Sequence, residues 1–120
     1  MKNQKKYVST LPLSLRGKKR YVLVSIHPFA GLEKSQVEKS FFHHLLYAFG
    51  VLGLPLLRYK FVGYNPSNGL VLLRVAHTKT SKVVASLTLL TTIHTTPVMV
   101  RSRRVSGSLK SLRPVFQQKA

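Results

Sequence analysis

Residues 57–76, LRYKFVGYNPSNGLVLLRVA, hold two β-type runs joined by one turn. In 57–64 the apolar Leu57, Tyr59 and Phe61 alternate with Arg58 and Lys60, the two-residue period of a strand with one face in a core and a basic face turned away. Pro66, Ser67, Asn68 and Gly69 supply the fixed φ, the side-chain acceptors and the backbone freedom that a turn needs. Residues 70–76 are apolar apart from Arg74, as expected of a central strand. The stretch therefore reads as a hairpin whose second strand lies inside a sheet. The rest of the chain has to supply the other strands and the cover.

Upstream, residues 20–26 (RYVLVSI) are rich in β-branched and aromatic side chains and end at Pro28 and Gly31, which predicts a first strand. Ser35 and Glu38 have the spacing of a capping box, and Val37, Phe41, Leu45, Ala48 and Leu52 then recur at steps of four, four, three and four, the period of a helix. Phe42, Leu46 and Phe49 form a second apolar stripe beside the first. Either a protein partner covers that stripe or a monomeric core absorbs it.

Downstream, Thr80 or Ser81 can cap a second helix in which Val83, Leu87 and Leu90 recur, with Thr88, Thr91 and Thr92 weakening its end. Pro97 introduces a strand over 98–105 that carries Arg101, Arg103 and Arg104. Ser106, Gly107 and Ser108 then turn into a short apolar and basic segment, 109–112, stopped by Pro114. The order strand, helix, strand, strand, helix, strand predicts an α+β chain with a ferredoxin-like (RRM-like) β-α-β-β-α-β sandwich. Both helices should lie on one face of an antiparallel sheet. The other face should stay open, lined by Arg58, Lys60 and Arg74 with Tyr21. A basic N-terminal arm is expected over 1–17, a single domain over 18–113 and a tail over 114–120. At 120 residues and 44% hydrophobic composition, one modest core is what the chain can close.

Charge narrows the partners. Twenty Lys and Arg stand against two acids, Glu33 and Glu38, for a net charge of +18. Counterion release rewards such a chain for lying against nucleic acid or an anionic surface. The longest uninterrupted apolar run, residues 48–57, is ten residues and contains Gly50, Gly53 and Pro55, short of the span expected of a membrane helix. The first residues lack the apolar centre of a signal peptide, so a cytoplasmic protein is expected, or a nuclear one in a eukaryote. The absence of cysteine excludes thiolate metal sites and cysteine nucleophiles.

Catalysis by this chain has little to attach to. Metal-dependent nucleases gather carboxylates around Mg²⁺, and the two glutamates here sit where they complement a helix N-terminus. His27, His43, His44, His77 and His94 show no spacing that pairs an acid with a base; structural or phosphate-contacting roles account for them. Neither a GxxxxGK[ST] loop nor a G-x-S-x-G elbow is present. The stretch 69–75, GLVLLRV, also lacks the stacking aromatics of an RRM. What remains is a surface for reading phosphates: Arg16, Lys18, Lys19 and Arg20 before the first strand, Arg58, Lys60 and Arg74 on the sheet, then Arg101, Arg103, Arg104 and Lys110. Three cations in a row are usually just a solvated face, but a net charge of +18 is hard to reconcile with that reading.

Four landmarks in order carry a resemblance: Leu11-Pro12 and Leu15-Arg16 leading into Lys18-Lys19-Arg20-Tyr21; residues 69–74, GLVLLR; residues 85–90, ASLTLL; and residues 105–110, VSGSLK. Together they resemble the ribonuclease P protein component 2 family over about residues 11–116, the archaeal branch more than the eukaryal. The resemblance implies a subunit of the ribonucleoprotein that removes the 5′ leader from precursor tRNA, in which the RNA holds the Mg²⁺ and carries the active site. It also implies ribonuclease P protein component 3, a TIM-barrel-like subunit, as a partner, and self-association in a heterotetramer. Two departures stand out: relatives usually carry more acids, and the family's Val-Ser-Gly-Thr-Ile is Val-Ser-Gly-Ser-Leu at 105–109, which keeps a turn at Gly107 and a capping hydroxyl at Ser108. A ribosomal protein is the rival within the binding class, and a metal-free histidine ribonuclease or a membrane-surface peptide are the rivals outside it.

Overall fold

The computed structural model describes residues 18–117; the expected arm and the last three residues lie outside them. Strand β1 (Lys19–His27) leads into helix α1 (Lys34–Gly53) and a 3₁₀ turn, Leu54–Leu57. The hairpin β2 (Lys60–Asn65) and β3 (Leu70–Ala76) follows, then a 3₁₀ turn, His77–Lys79, and helix α2 (Thr80–Leu87). A two-residue hairpin, β4 (Thr92–Ile93) and β5 (Thr96–Pro97), precedes β6 (Met99–Ser106), and helix α3 (Leu109–Phe116) completes the described chain. The main sheet is antiparallel in the order β2-β3-β1-β6. Helix α1 therefore crosses over β3 to link β1 with β2, and α2 crosses over β1 to link β3 with β6. This is the ferredoxin-like arrangement that the order of elements predicts.

The main core lies between this sheet and the pair α1 and α2. Val22, Val24 and Ile26 of β1 and Val71, Leu73 and Val75 of β3 alternate inward and meet Val37, Phe41, Leu45, Val83 and Leu87. In β2 the register slips between Phe61 and Gly63. Phe61 and Tyr64 consequently both join this core, while Val62 packs on the opposite side.

Several local expectations are corrected. Helix α1 starts on Glu33 and Gln36 rather than Ser35 and Glu38: the Glu33 main-chain N–H donates to Gln36 Oε1 over 3.1 Å. Glu38 is thereby placed in the second turn. After Leu45 the stripe departs from the expected one: Ala48 is exposed and Phe49 packs on the core instead, and at Gly50 the backbone (φ 78°) leaves the helical phase. Leu52, assigned by period to the core, is 89% exposed. The stretch Lys34–Leu57 is 24 residues and, with its 3₁₀ extension, has the length and composition of a membrane crossing, more than the ten-residue apolar run suggests. Here its stripe Val37, Phe41 and Leu45 is the cover of the sheet.

The largest correction concerns the face expected to be open. Pro114 does not stop the chain before a helix forms; it lies inside α3, and the last turn closes beyond it through Gln117 N–H to the Arg113 oxygen at 3.0 Å. Leu109, Leu112, Val115 and Phe116 line one side of α3 and pack on Leu23, Leu72 and Val62, with Leu112 fully buried. A second, smaller core thus covers the middle of the face that carries the cations.

Candidate nucleic-acid interface

Strand alternation assigns Tyr21, Leu23 and Ser25 of β1 and Leu70, Leu72 and Arg74 of β3 to the face opposite α1 and α2. Helix α3 crosses it diagonally, from the end of β6 to the β2–β3 turn, where Asn65 Nδ2 and Asn68 Nδ2 donate to the Phe116 oxygen at 2.7 and 3.3 Å. At its start, the Ser108 N–H donates to Ser106 Oγ at 3.1 Å, and Ser111 Oγ lies 2.6 Å from Ser106 Oγ. Ser108 occupies the cap position without a side-chain cap bond, contrary to the expected capping hydroxyl; Ser106 Oγ instead satisfies the N–H of Ser108 itself. A Cβ at Gly107 would sit 2.9 Å from Arg20 Nη1, the movable end of a long side chain, so this approach does not by itself demand glycine.

Two basic corners remain on either side of α3. In one, Lys60 faces Arg74 across the β2–β3 ladder, and Arg74 faces Tyr21 across β3–β1, with Lys19 two residues further along β1 on the same face. Arg74 is half-buried, and its Nε is shut away from solvent with no acceptor among the described residues. A buried donor left unpaired is costly, whereas a phosphate oxygen brought in from outside would satisfy it with a charge-assisted bond.

In the other corner the register pairs Ser25 with Arg101, His27 with Met99 and Leu23 with Arg104. A bulge between Leu23 and Val24 leaves Arg103 without a partner position opposite it in β1. Arg101 and Arg103 line a cleft of about 380 Å³ there. Lys110 and Arg113 are exposed on α3, between the corners. Glu33 caps α1 and Glu38 lies within it, across the sheet from α3; at the β2 edge Glu38 and Lys60 line one cleft, so the carboxylate reaches the border of this surface but not the Arg101–Arg103 corner.

The remaining expected residues fall elsewhere. Arg58 adopts a left-handed conformation (φ 51°) at the end of the 3₁₀ turn, before β2 begins, so it does not line the sheet. Lys18 is exposed at the start of β1, its main-chain oxygen bonded to the His77 N–H at 2.7 Å. Arg20 points to the side of β1 opposite Tyr21, near Gly107. Arg16 lies outside the described residues. His44 Nε2 is 2.6 Å from the Ser86 oxygen and ties α1 to α2, a structural role. Among the described residues no group of three His, Asp or Glu side chains is placed to hold a metal ion.

Of the second apolar stripe, Phe42 is 42% exposed, Leu46 is half-buried and Phe49 packs against the core. The conspicuous apolar surface lies further along, at Tyr47, Val51, Leu52 and Leu56, which are 65–90% exposed. Val51 is nine residues beyond Phe42, about half a turn away in helical phase, so the stripe does not point to it, and the kink at Gly50 has no signal in the apolar period.

Apart from Lys19 at the start of β1, the ferredoxin-like sheet, the crossing helix α3 and the basic corners fall within residues 20–116, which match the sequence profile of the Rpp14/Pop5 family. The chain belongs to the Rpp14/Pop5 family. Among individual relatives, ribonuclease P protein component 2 of Thermococcus gammatolerans is 30% identical over 97% of this chain and 94% of its own length. The protein of the same name from Thermococcus kodakarensis is 28% identical over the same shares. In solved structures, a chain of yeast ribonuclease MRP superposes with a TM-score of 0.62 over 77% of this chain and 76% of its own, at 19% identity, which supports the family fold. The family match begins at Arg20 and so leaves out the arm.

Proposed function

We propose that this chain is a protein subunit of ribonuclease P that binds and supports the catalytic RNA, the RNA itself removing the 5′ leader from precursor tRNA. The observation that carries the RNA-binding part is the surface divided by α3: Lys60 and Arg74 on one side, Arg101, Arg103 and Arg104 on the other, and Lys110 and Arg113 between them, with Glu38 only at its β2 border, beside Lys60. Such a surface favours a polyanion of fixed shape, and the α3 ridge between its corners restricts which backbone can lie on it. Mg²⁺ would be held by the RNA and its substrate; this chain contributes cations that reduce repulsion between phosphate strands. The relatives' name supports a ribonuclease P subunit over a ribosomal protein.

Protein contacts belong to the exposed apolar surface at the end of α1 and the 3₁₀ turn after it, Tyr47, Val51, Leu52 and Leu56, with Phe42 at its edge. We assign it to ribonuclease P protein component 3 and to the second copy of this chain in a heterotetramer, in a cytoplasmic particle. The RNA-binding reading is tested by titrating ribonuclease P RNA with wild-type protein and with Lys19→Ala, Arg74→Ala and Arg104→Ala at several salt concentrations. Each substitution should weaken binding and lower the slope of log affinity against log salt by roughly one. Precursor tRNA cleavage at saturating RNA and Mg²⁺ should persist.

A further inference from the structure

We propose that the cleft at the β1–β6 corner is a pocket for a single unpaired nucleotide of the bound RNA, its base held against Phe29 and Met99 and its phosphate by Arg101 and Arg103. The proposal rests on the RNA-binding reading above and deepens it. The cleft holds about 380 Å³ and is bounded by His27, Phe29, Met99, Arg101 and Arg103, with Ser25 on the strand between them. That volume suits one nucleotide and is too small for a duplex, whose recognition needs an extended surface.

The chemistry of the walls is divided as a nucleotide requires. Phe29 is fixed rather than loose: its ring lies on Gly69, where a Cβ would come within 2.5 Å of Phe29 Cδ1, and Gly69 holds φ 72°. The same turn bonds to β1 through the Ile26 N–H and the Gly69 oxygen at 2.9 Å. A ring held in place by backbone offers a π-face at little cost in conformational entropy. Met99 faces His27 in the strand register and is 55% exposed, an apolar and adaptable second wall. Arg101 and Arg103 bring two guanidinium groups to the rim, the second released from ladder pairing by the bulge. Phosphate donors and a stacking surface therefore line one cleft. This stacking surface lies at the sheet corner, not on the central strand where RRM aromatics sit.

The test uses the assembled complex of this protein with ribonuclease P RNA, probed by 2′-hydroxyl acylation along the RNA and by affinity titration. Wild type should protect one short unpaired segment that Phe29→Ala and Met99→Ala each expose, with affinity falling roughly tenfold while other protections stay. Phe29→Leu keeps apolar packing on Gly69 but lacks an aromatic face; it should expose the same segment, which separates stacking from misfolding. Arg101→Ala should weaken binding and its salt dependence together. If Phe29→Leu and Met99→Ala leave both footprint and affinity at wild-type values, the nucleotide pocket is wrong. If they instead weaken capture of a protein subunit with the RNA footprint intact, the cleft is a protein-docking site and the proposal is overturned. Absence of any protein-dependent protection by wild type would overturn the RNA-binding reading itself, a different result.

Discussion

The side-chain amide of Asn65, at the end of β2, donates to the main-chain oxygen of Phe116, at the end of α3, across 2.7 Å and 51 residues of sequence. This bond, with the weaker one from Asn68, satisfies a carbonyl that the helix end would otherwise leave orphaned, and anchors α3 over the sheet. Removing it with Asn65→Ala should cost about 1 kcal/mol and release the last turn of α3 first. Hydrogen exchange should show lost protection at residues 113–117 with β1 and β3 unchanged.

Leu112 is the centre of the small core beneath α3, 1% exposed and packed with Leu23 and Leu72. Leu112→Ala leaves a cavity that so small a cluster cannot refill, and should cost roughly 2–4 kcal/mol in denaturant unfolding. Because α3 also carries Lys110 and Arg113, the same variant should lower RNA affinity without touching a cation.

The buried Tyr59 hydroxyl has no hydrogen-bond partner among the described residues. Burial raises its pKa above the ordinary 10.0, and the nearby Glu38 carboxylate adds to the rise. Tyr59→Phe removes an unsatisfied polar atom and should be neutral or stabilising by up to about 1 kcal/mol. The sign of the pH effect follows from the raised value. The folded state favours the protonated phenol, so its contribution is complete below pH 10.0 and is lost as pH rises above it. Thermal unfolding of wild type and variant should therefore diverge further as pH rises into the alkaline range, with the variant the more stable.

Leu52, 89% exposed beside Tyr47 and Val51, makes no contribution to the core. Leu52→Asp should leave thermal stability within about 0.5 kcal/mol and RNA affinity nearly unchanged, while weakening association with protein subunits. Sedimentation of the mixed proteins with and without RNA separates these effects.

The parts of the fold legible in sequence were those with an unbroken period. The alternation in β1 and β3 and the hairpin turn at residues 66–69 were readable, and with them the ferredoxin-like order. Where the period is broken by geometry, reading fails. The bulge in β2 moves Phe61 and Tyr64 to one side, and the 3₁₀ turn takes Arg58 out of the strand. Helix α3 was hidden by Pro114, although Leu109, Leu112, Val115 and Phe116 already showed a helical spacing. A proline in the sixth position removes one internal hydrogen bond, and packing of the apolar side offsets it. The cation set was legible as composition; its division into two corners depends on α3 and so was not.

The most direct measurement of the central claim is to purify the tagged protein at gentle salt, sequence the RNA that comes with it and assay the eluate on precursor tRNA with Mg²⁺. One dominant structured RNA and Mg²⁺-dependent removal of the 5′ leader are expected. Predominantly ribosomal RNA with no leader cleavage would contradict the claim.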